Sequence, residues 1–227
     1  MNLINQEYID IFINSLSSYP ESPNMKQMRR KAENEGIPVL RPGAAALINV
    51  LAAVKKPKTA LEIGTSIGYS SLVILNSMPE GSRLYTVEMD EGRYLEAAEN
   101  FRQEGVYDRI SMFLGDAAEI LHHMEDRFDF IFLDGPKAQY FNYLTDCVRL
   151  LNPGGLLVCD DVLFYGMVAR RELINPRKIT IVKRLKKFLK AVAAHPELDT
   201  AIIPMGDGMS VSCKRDRGQR SQNERRS

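Results

Sequence analysis

Two apolar runs in this chain end in carboxylates: Phe130-Ile131-Phe132-Leu133-Asp134 and Leu156-Leu157-Val158-Cys159-Asp160-Asp161. A buried strand that terminates in acids presents oxygen ligands at the carboxyl edge of an α/β sheet, where such folds bind ligands. Asp134, Asp160 and Asp161 converging there would repel one another unless a cation joined them, so the three are candidate ligands of a divalent metal. Lys137 follows Asp134 by three residues and brings a titratable nitrogen to the same place. These residue types permit metal-assisted chemistry at an oxygen, with Lys137 as the candidate proton acceptor if burial or a nearby cation lowers its pKa. Outside that context, Lys137 reads as a surface lysine pairing Asp134 or Asp146.

A second constellation lies upstream, in Leu61-Glu62-Ile63-Gly64-Thr65-Ser66-Ile67-Gly68-Tyr69-Ser70-Ser71. Glycines between a strand and a helix let a ligand approach the backbone, and Ser70 with the free amides of the helix can hold its polar groups. A dinucleotide loop would carry G-x-G-x-x-G, with phosphates on the helix end. This loop has only Gly64 and Gly68, with Glu62 two residues ahead of the first. An anion there suits a ligand bearing an ammonium or sulfonium. Glu88, after the next apolar run, is placed to accept from ribose hydroxyls, and Asp116 with Ala117 to meet an adenine amino group. Together these describe a pocket for S-adenosylmethionine (SAM). Taken singly, Glu62 and Glu88 also read as solvated strand ends, and Asp116 as a helix cap.

Such residues need a parallel sheet to hold them, and short β-rich runs do alternate with helical ones from Thr59 onward. The pattern predicts strands at 60–63, 84–87, 110–114, 128–133 and 155–159, with helices near 69–76, 91–104, 117–123 and 138–150. Helices at 3–17, 23–35 and 43–54 cap this unit; the last is apolar nearly all round, so it is buried or faces a partner subunit. Ile181, Val182, Leu185, Phe188, Leu189 and Val192 recur at helical spacing with lysines and arginines opposite, an amphipathic basic helix. Residues 200–204 and 209–213, joined through Met205-Gly206-Asp207-Gly208, predict a closing antiparallel hairpin.

Composition bounds the class. A chain of 227 residues suits one α/β domain, over 1–213, followed by a basic, polar, disordered tail over 214–227. Cys147, Cys159 and Cys213 are odd in number, widely spaced and lack C-x-x-C pairing, so neither a disulfide framework nor a zinc site is indicated, and a cytoplasmic protein fits. No leader pattern opens the chain and no run reaches a membrane span, so no membrane partner is expected. The net charge of +1 hides a basic stretch from Arg170 to Lys190, which could hold phosphates beside the acids or be ordinary solvated surface. Tyr140, Phe164 and Tyr165 lie beside the acids and could stack on an extruded base, or pack the core.

From about residue 37 to 214 the chain resembles the cation-dependent O-methyltransferases typified by catechol and caffeoyl-coenzyme A O-methyltransferases. The matching pieces are Glu62-Ile63-Gly64, Gly68-Tyr69-Ser70, Glu88, Gly115-Asp116-Ala117, Asp134 with Lys137, Asp160-Asp161 and Gly206-Asp207-Gly208. The resemblance implies a Rossmann-like class I SAM-dependent methyltransferase fold, α/β, with a seven-stranded sheet and helices on both faces, as a homodimer. It also implies magnesium at Asp134, Asp160 and Asp161, catalysis by Lys137, and SAM held by Val39, Glu62, Gly64, Gly68, Ser70, Glu88, Asp116, Ala117 and Asp134. The family commonly has Asn where this chain has Asp161, which makes the site more negative.

Within that family the likeness is nearest to the bacterial tRNA 5-hydroxyuridine methyltransferases. It rests on Ile37-Pro38-Val39, Val162-Leu163-Phe164 with Gly166, Asn175-Pro176-Arg177-Lys178-Ile179, His195-Pro196 and Thr200-Ala201-Ile202-Ile203-Pro204. The expectation is magnesium-dependent methylation of the 5-hydroxyl of 5-hydroxyuridine in tRNA. The alternatives are a catechol-type small-molecule O-methyltransferase and a noncatalytic RNA-binding protein that retains a SAM pocket.

Overall fold

Apolar runs with no polar face become strands covered on both sides, because alternate residues then bury in two separate cores. In a computed structural model, which describes residues 7–16 and 19–216, Phe130 and Phe132 pack into one core while Ile131 and Leu133 pack into the other. The strands are β1 (Thr59–Ile63), β2 (Arg83–Glu88), β3 (Ile110–Leu114), β4 (Phe128–Leu133), β5 (Leu151–Cys159), β6 (Leu198–Ile203) and β7 (Met209–Lys214). Their order in one sheet is β3-β2-β1-β4-β5-β7-β6, parallel across the first five and antiparallel at β7.

The helices are α1 (Glu7–Leu16), α2 (Pro23–Glu35), α3 (Pro42–Lys55), α4 (Tyr69–Asn76), α5 (Glu91–Gln103), α6 (Ala117–His123), α7 (Tyr140–Leu150) and α8 (Ile179–Ala193). Buried residues of α2, α3, α4 and α5 line one core, and those of α6, α7 and α8 the other. Side-chain caps start several of them: Ser22 Oγ accepts from Met25 N, and Asp90 Oδ1 accepts from Arg93 N. Among the described residues no helix is long and apolar enough to cross a membrane.

Three expectations change. The domain edge moves past 213, because Lys214 closes β7 and its ammonium donates to the carbonyls of Val148 and Leu151 at 2.6 and 2.8 Å. Strand β5 begins at Leu151 rather than 155, since Leu151 pairs with Phe128 ahead of an irregularity in the ladder. Helix α3 is not buried all round: Ala45, Ile48 and Ala52 are inside, while Val50 and Val54 are exposed. Residues 1–6, 17 and 18 of the expected first helix region and 217–227 of the expected tail lie outside the described residues.

The order of strand addition reverses between β1 and β4, which stay parallel: the sheet grows through β2 and β3 on one side and through β4 and β5 on the other. Ligands of open α/β sheets bind at such a switch point, outside the carboxyl ends of the strands. The register makes the point concrete. Ile63 pairs with both Val87 and Leu133, and Leu133 pairs with Cys159, so Glu88, Gly64, Asp134 and Asp160 follow side by side in one row.

Candidate active site

That row floors a cavity of about 810 Å³, within the range of small-molecule sites. Gly64, Ser70, Glu88, Asp116, Ala117, Asp134, Lys137, Asp160, Asp161 and Val39 all line it, so nearly every residue singled out in the sequence meets in one place. Gly64 N donates to Val87 O at 2.9 Å and Asp134 N to Ile63 O at 2.9 Å, which ties the loop to both neighbouring strand ends. Gly64 has a φ of +100°, and a Cβ there would stand 2.7 Å from the carbonyl oxygen of Asp134. Gly68, also left-handed, opens α4.

Two acids combine a structural task with a place at the wall. Glu88 accepts from Ser66 N at 2.7 Å through Oε2 and from Met89 N and Asp90 N through Oε1, fixing the loops after β1 and β2. Asp116 caps α6, with Oδ1 accepting from Ala118 N at 2.7 Å.

Glu62 departs from expectation. It was anticipated beside the ligand, yet its carboxylate is fully buried and does not line the cavity. Strand alternation is the reason: Leu61 and Ile63 face one core, so Glu62 points to the other side, with Ala60. There it accepts from the hydroxyls of Ser71 and Thr86 through Oε2, and Thr86 Oγ1 lies 2.5 Å from Thr65 Oγ1. Glu62 thus props the cofactor loop from beneath. Its Oε1 has no hydrogen-bond partner among the described residues, and burial, against the Ser70, Ser71 and Thr86 hydroxyls, pushes its carboxyl up to about 7.

This shift sets a pH dependence. The folded value of about 7 exceeds the ordinary 4.5, so the folded protein keeps the proton over a range in which the unfolded chain releases it. The associated stability is complete below the ordinary value and is lost as pH rises through the folded one, with about 3 kcal/mol as the ceiling. Urea titrations from pH 5 to 8 should show this decline, and Glu62→Gln, which cannot ionise, should flatten it. A decline of equal slope in both chains would assign it to another group.

At the acidic end, Lys137 Nζ lies 2.5 Å from Asp134 Oδ1 and 3.2 Å from Asp161 Oδ2. Burial pulls the ammonium down, but the Asp134 and Asp161 charges overcome it and hold the Lys137 pKa above its usual value. Burial by itself therefore does not lower the Lys137 pKa in this arrangement. Asp160 is driven up to about 8 by burial and by Asp134 and Asp161, and Asp134 is raised by burial against the pull of Lys137.

The three acids share the cavity without forming a ligand cage. Among the described residues no group of three His, Cys, Asp or Glu side chains is arranged to hold a metal ion. Asp134 turns to Lys137, and Asp160 Oδ1 turns back to accept from Asp161 N at 2.8 Å. The donor chemistry nonetheless suits a hard divalent cation: clustered carboxylates whose proton affinities are raised by one another gain most from a shared positive charge.

Asp161 has a φ of +55°, followed by Phe164 at +46° and Tyr165 at +54°. Three left-handed side-chain-bearing residues in one loop are costly, at about 1–3 kcal/mol each, and persist only when surrounding contacts impose them. The β6–β7 turn supplies those contacts. Val162 N donates to Gly208 O, Leu163 N to Asp207 O, and Tyr165 N to Asp207 Oδ1 at 2.5 Å. Asp207 was noticed in the sequence only as part of a glycine-rich turn; its position on the cavity wall comes from the β5–β7 pairing.

Of the three aromatics considered as stacking platforms, one remains. Tyr140 is fully buried and donates to Leu133 O at 3.1 Å and Asp160 O at 3.0 Å, supporting both acidic strand ends. Phe164 is likewise packed in the core, whereas Tyr165 is 70% exposed at the cavity. Arg184 of helix α8 donates to Ala138 O at 3.4 Å, next to Lys137, and Lys178, the residue before that helix, lies 6.0 Å from the Phe164 ring centroid.

Comparison with known proteins agrees with this geometry. The family described as O-methyltransferase matches residues 14–215. A caffeoyl-CoA O-methyltransferase of Stellaria longipes is 28% identical over 226 residues, spanning 94% of this chain and 92% of that protein. A catechol O-methyltransferase of Niastella koreensis is 28% identical over 217 residues, spanning 91% and 96%. Two solved structures share the fold. The SAH-bound Podospora anserina methyltransferase PaMTH1 has a TM-score of 0.81 at 24% identity, covering 92% of this chain and 95% of that one. The O-methyltransferase TomG of Streptomyces achromogenes, in complex with SAM, has 0.77 at 24%, covering 92% and 96%.

Proposed function

We propose that this chain, which belongs to the O-methyltransferase family and is a SAM-dependent O-methyltransferase, methylates the 5-hydroxyl of 5-hydroxyuridine at the tRNA wobble position to give 5-methoxyuridine. The observation that carries the acceptor is the contact of Arg184, on the basic helix α8, with Ala138 O, next to Lys137 of the cavity wall. An RNA phosphodiester backbone laid on the basic side of α8 would bring a base toward Tyr165, the exposed aromatic of the wall. The protein acts as a homodimer in this reading, with the exposed apolar residues Ile11, Phe12, Val50 and Val54 at the contact between copies.

Asp134, Asp160 and Asp161 would hold a divalent cation, magnesium by their oxygen chemistry. When bound, it would supply Lewis acidity to vicinal acceptor oxygens and neutralise the acids around Lys137. Lys137 Nζ is then the group placed to take the hydroxyl proton. Glu88, Asp116 and the Gly64–Ser70 turn orient SAM, so that its methyl carbon bonds to the oxygen as the sulfonium becomes a neutral thioether. Glu62 and Tyr140 keep the two halves of the site in place from beneath.

A second reading, favoured by the catechol and caffeoyl-CoA relatives, is methylation of a small catechol. Both acceptors offer paired oxygens, so the test must compare them directly. Hydroxyuridine-containing tRNA and free catechol are incubated with enzyme and SAM, and products are followed by nucleoside mass spectrometry. Faster conversion of the tRNA, weakened steeply by added salt, supports the first reading. Methylation of catechol with an inert tRNA would replace it by the second.

A further inference from the structure

Three cations line the cavity, and their partners differ. Lys137 is engaged by Asp134 and Asp161, and Arg93 by Glu96 at 2.8 Å. The exposed Arg41 guanidinium is held by no ion pair of this kind among the described residues, though its charge acts on the Asp207 carboxylate across the cavity wall. Its stem runs past the β6–β7 turn, where a Cβ on Gly206 would stand 3.9 Å from Arg41 Cδ. That turn is the one whose Asp207 grips Tyr165, so Arg41 stands at the acceptor end of the cavity.

Arg41 also borders a second space. A side cavity of about 160 Å³ opens between α1, the start of α3 and the β6–β7 turn, and the two cavities share Arg41, Ala44 and Gly206. None of the residues from Gly64 to Ser70 lines the side cavity, so it lies away from the cofactor loop. The main cavity accommodates the cofactor and an acceptor ring. A substituent on that ring would leave toward the side cavity past five guanidinium N–H donors, which match phosphate oxygens two at a time.

We propose that Arg41 is a specificity-determining residue that takes a phosphate attached to the acceptor nucleoside at the junction of the two cavities. This rests on the nucleoside reading of the site. The chemistry recognised is an anionic oxyacid group, which the cofactor also carries as a carboxylate. The placement beside Gly206, in the turn whose Asp207 grips Tyr165, favours the acceptor as its source.

The test compares 5-hydroxyuridine 3′,5′-bisphosphate with 5-hydroxyuridine as acceptors, with the SAM dissociation constant measured by calorimetry. Wild-type enzyme should prefer the bisphosphate by about tenfold, through KM, as one charge-assisted contact allows. Arg41→Gln should bring the two acceptors to within about twofold, and Arg41→Lys should keep part of the preference. A preference that survives Arg41→Gln overturns the assignment. So does a tenfold loss of SAM affinity, which would assign Arg41 to the cofactor carboxylate. If wild-type enzyme methylates neither nucleoside, Arg41→Gln is read as KM on hydroxyuridine-containing tRNA, where an unchanged KM overturns the assignment; if that tRNA is inert too, the tRNA reading itself fails, and Arg41 is read on 3,4-dihydroxybenzoate against catechol. A preference for the benzoate that Arg41→Gln removes would uphold the anion contact, and equal use of the two would end it.

Discussion

Replacing Asp134 by alanine is expected to lower methyl transfer by about a thousandfold or more, in line with the several kcal/mol that a Lewis acid and a positioned charge contribute to a barrier. Asp134 stands in the row at the strand ends, pairs Lys137 at 2.5 Å and shares the cavity with Asp160 and Asp161. Its loss removes one candidate ligand and leaves the Lys137 ammonium with Asp161 alone. The fold should survive, because the backbone bonds of the row, Asp134 N to Ile63 O and Asp160 N to Leu133 O, do not use this side chain. Steady-state turnover, with circular dichroism as a folding control, checks the expectation. Chelation of the wild-type enzyme should give a comparable fall, reversed by magnesium, and undiminished turnover in chelator would remove the cation from the mechanism.

Gly64→Ala should destabilise the protein by about 3 kcal/mol or more, from the cost of a left-handed alanine plus overpacking against a rigid partner. The partner is backbone: the new methyl would meet Asp134 O at 2.7 Å and Gly135 N at 2.9 Å, and neither can swing away as a side chain could. Relief requires prising β1 from β4 at the switch point, which would also displace Asp134. Chemical denaturation and SAM titration should therefore fail together. Gly68→Ala would meet a side chain instead of backbone, the Phe101 ring at 2.5 Å, but that ring is fully buried in the core, so this change is costly as well. If Gly64→Ala unfolds and binds SAM like wild type, the close approach at the switch point is not a determinant of the site.

Much of this was legible one residue at a time. The acids at the ends of β4 and β5, the two-glycine loop, Glu88 and Asp116 each sit just after a run whose composition marks a buried strand, and parallel strands in register deliver their next residues to one edge. Helix α8 was equally plain, because its apolar spacing depends only on its own periodicity. Glu62 was misplaced because a strand buried on both faces carries no sign of which side a given residue takes. Its pairing with Ser71 and Thr86 depends on the packing of α4 and β2. Tyr140 and Phe164 stayed open between stacking and core packing for a similar reason: an aromatic beside a site reads alike whether it faces the cavity or the core.

What the sequence by itself determined is the sheet edge, the residue types gathered on it and hence the class of chemistry, since these follow from local apolar patterning and strand length. The tertiary structure alone decided how the charges are disposed. Lys137 is brought to Asp161, Tyr165 is held left-handed by Asp207, and Arg41 is brought to Gly206 from far along the chain. Each of these contacts joins segments whose meeting is set by the order of strands in the sheet, and periodicity within a segment carries no information about that order.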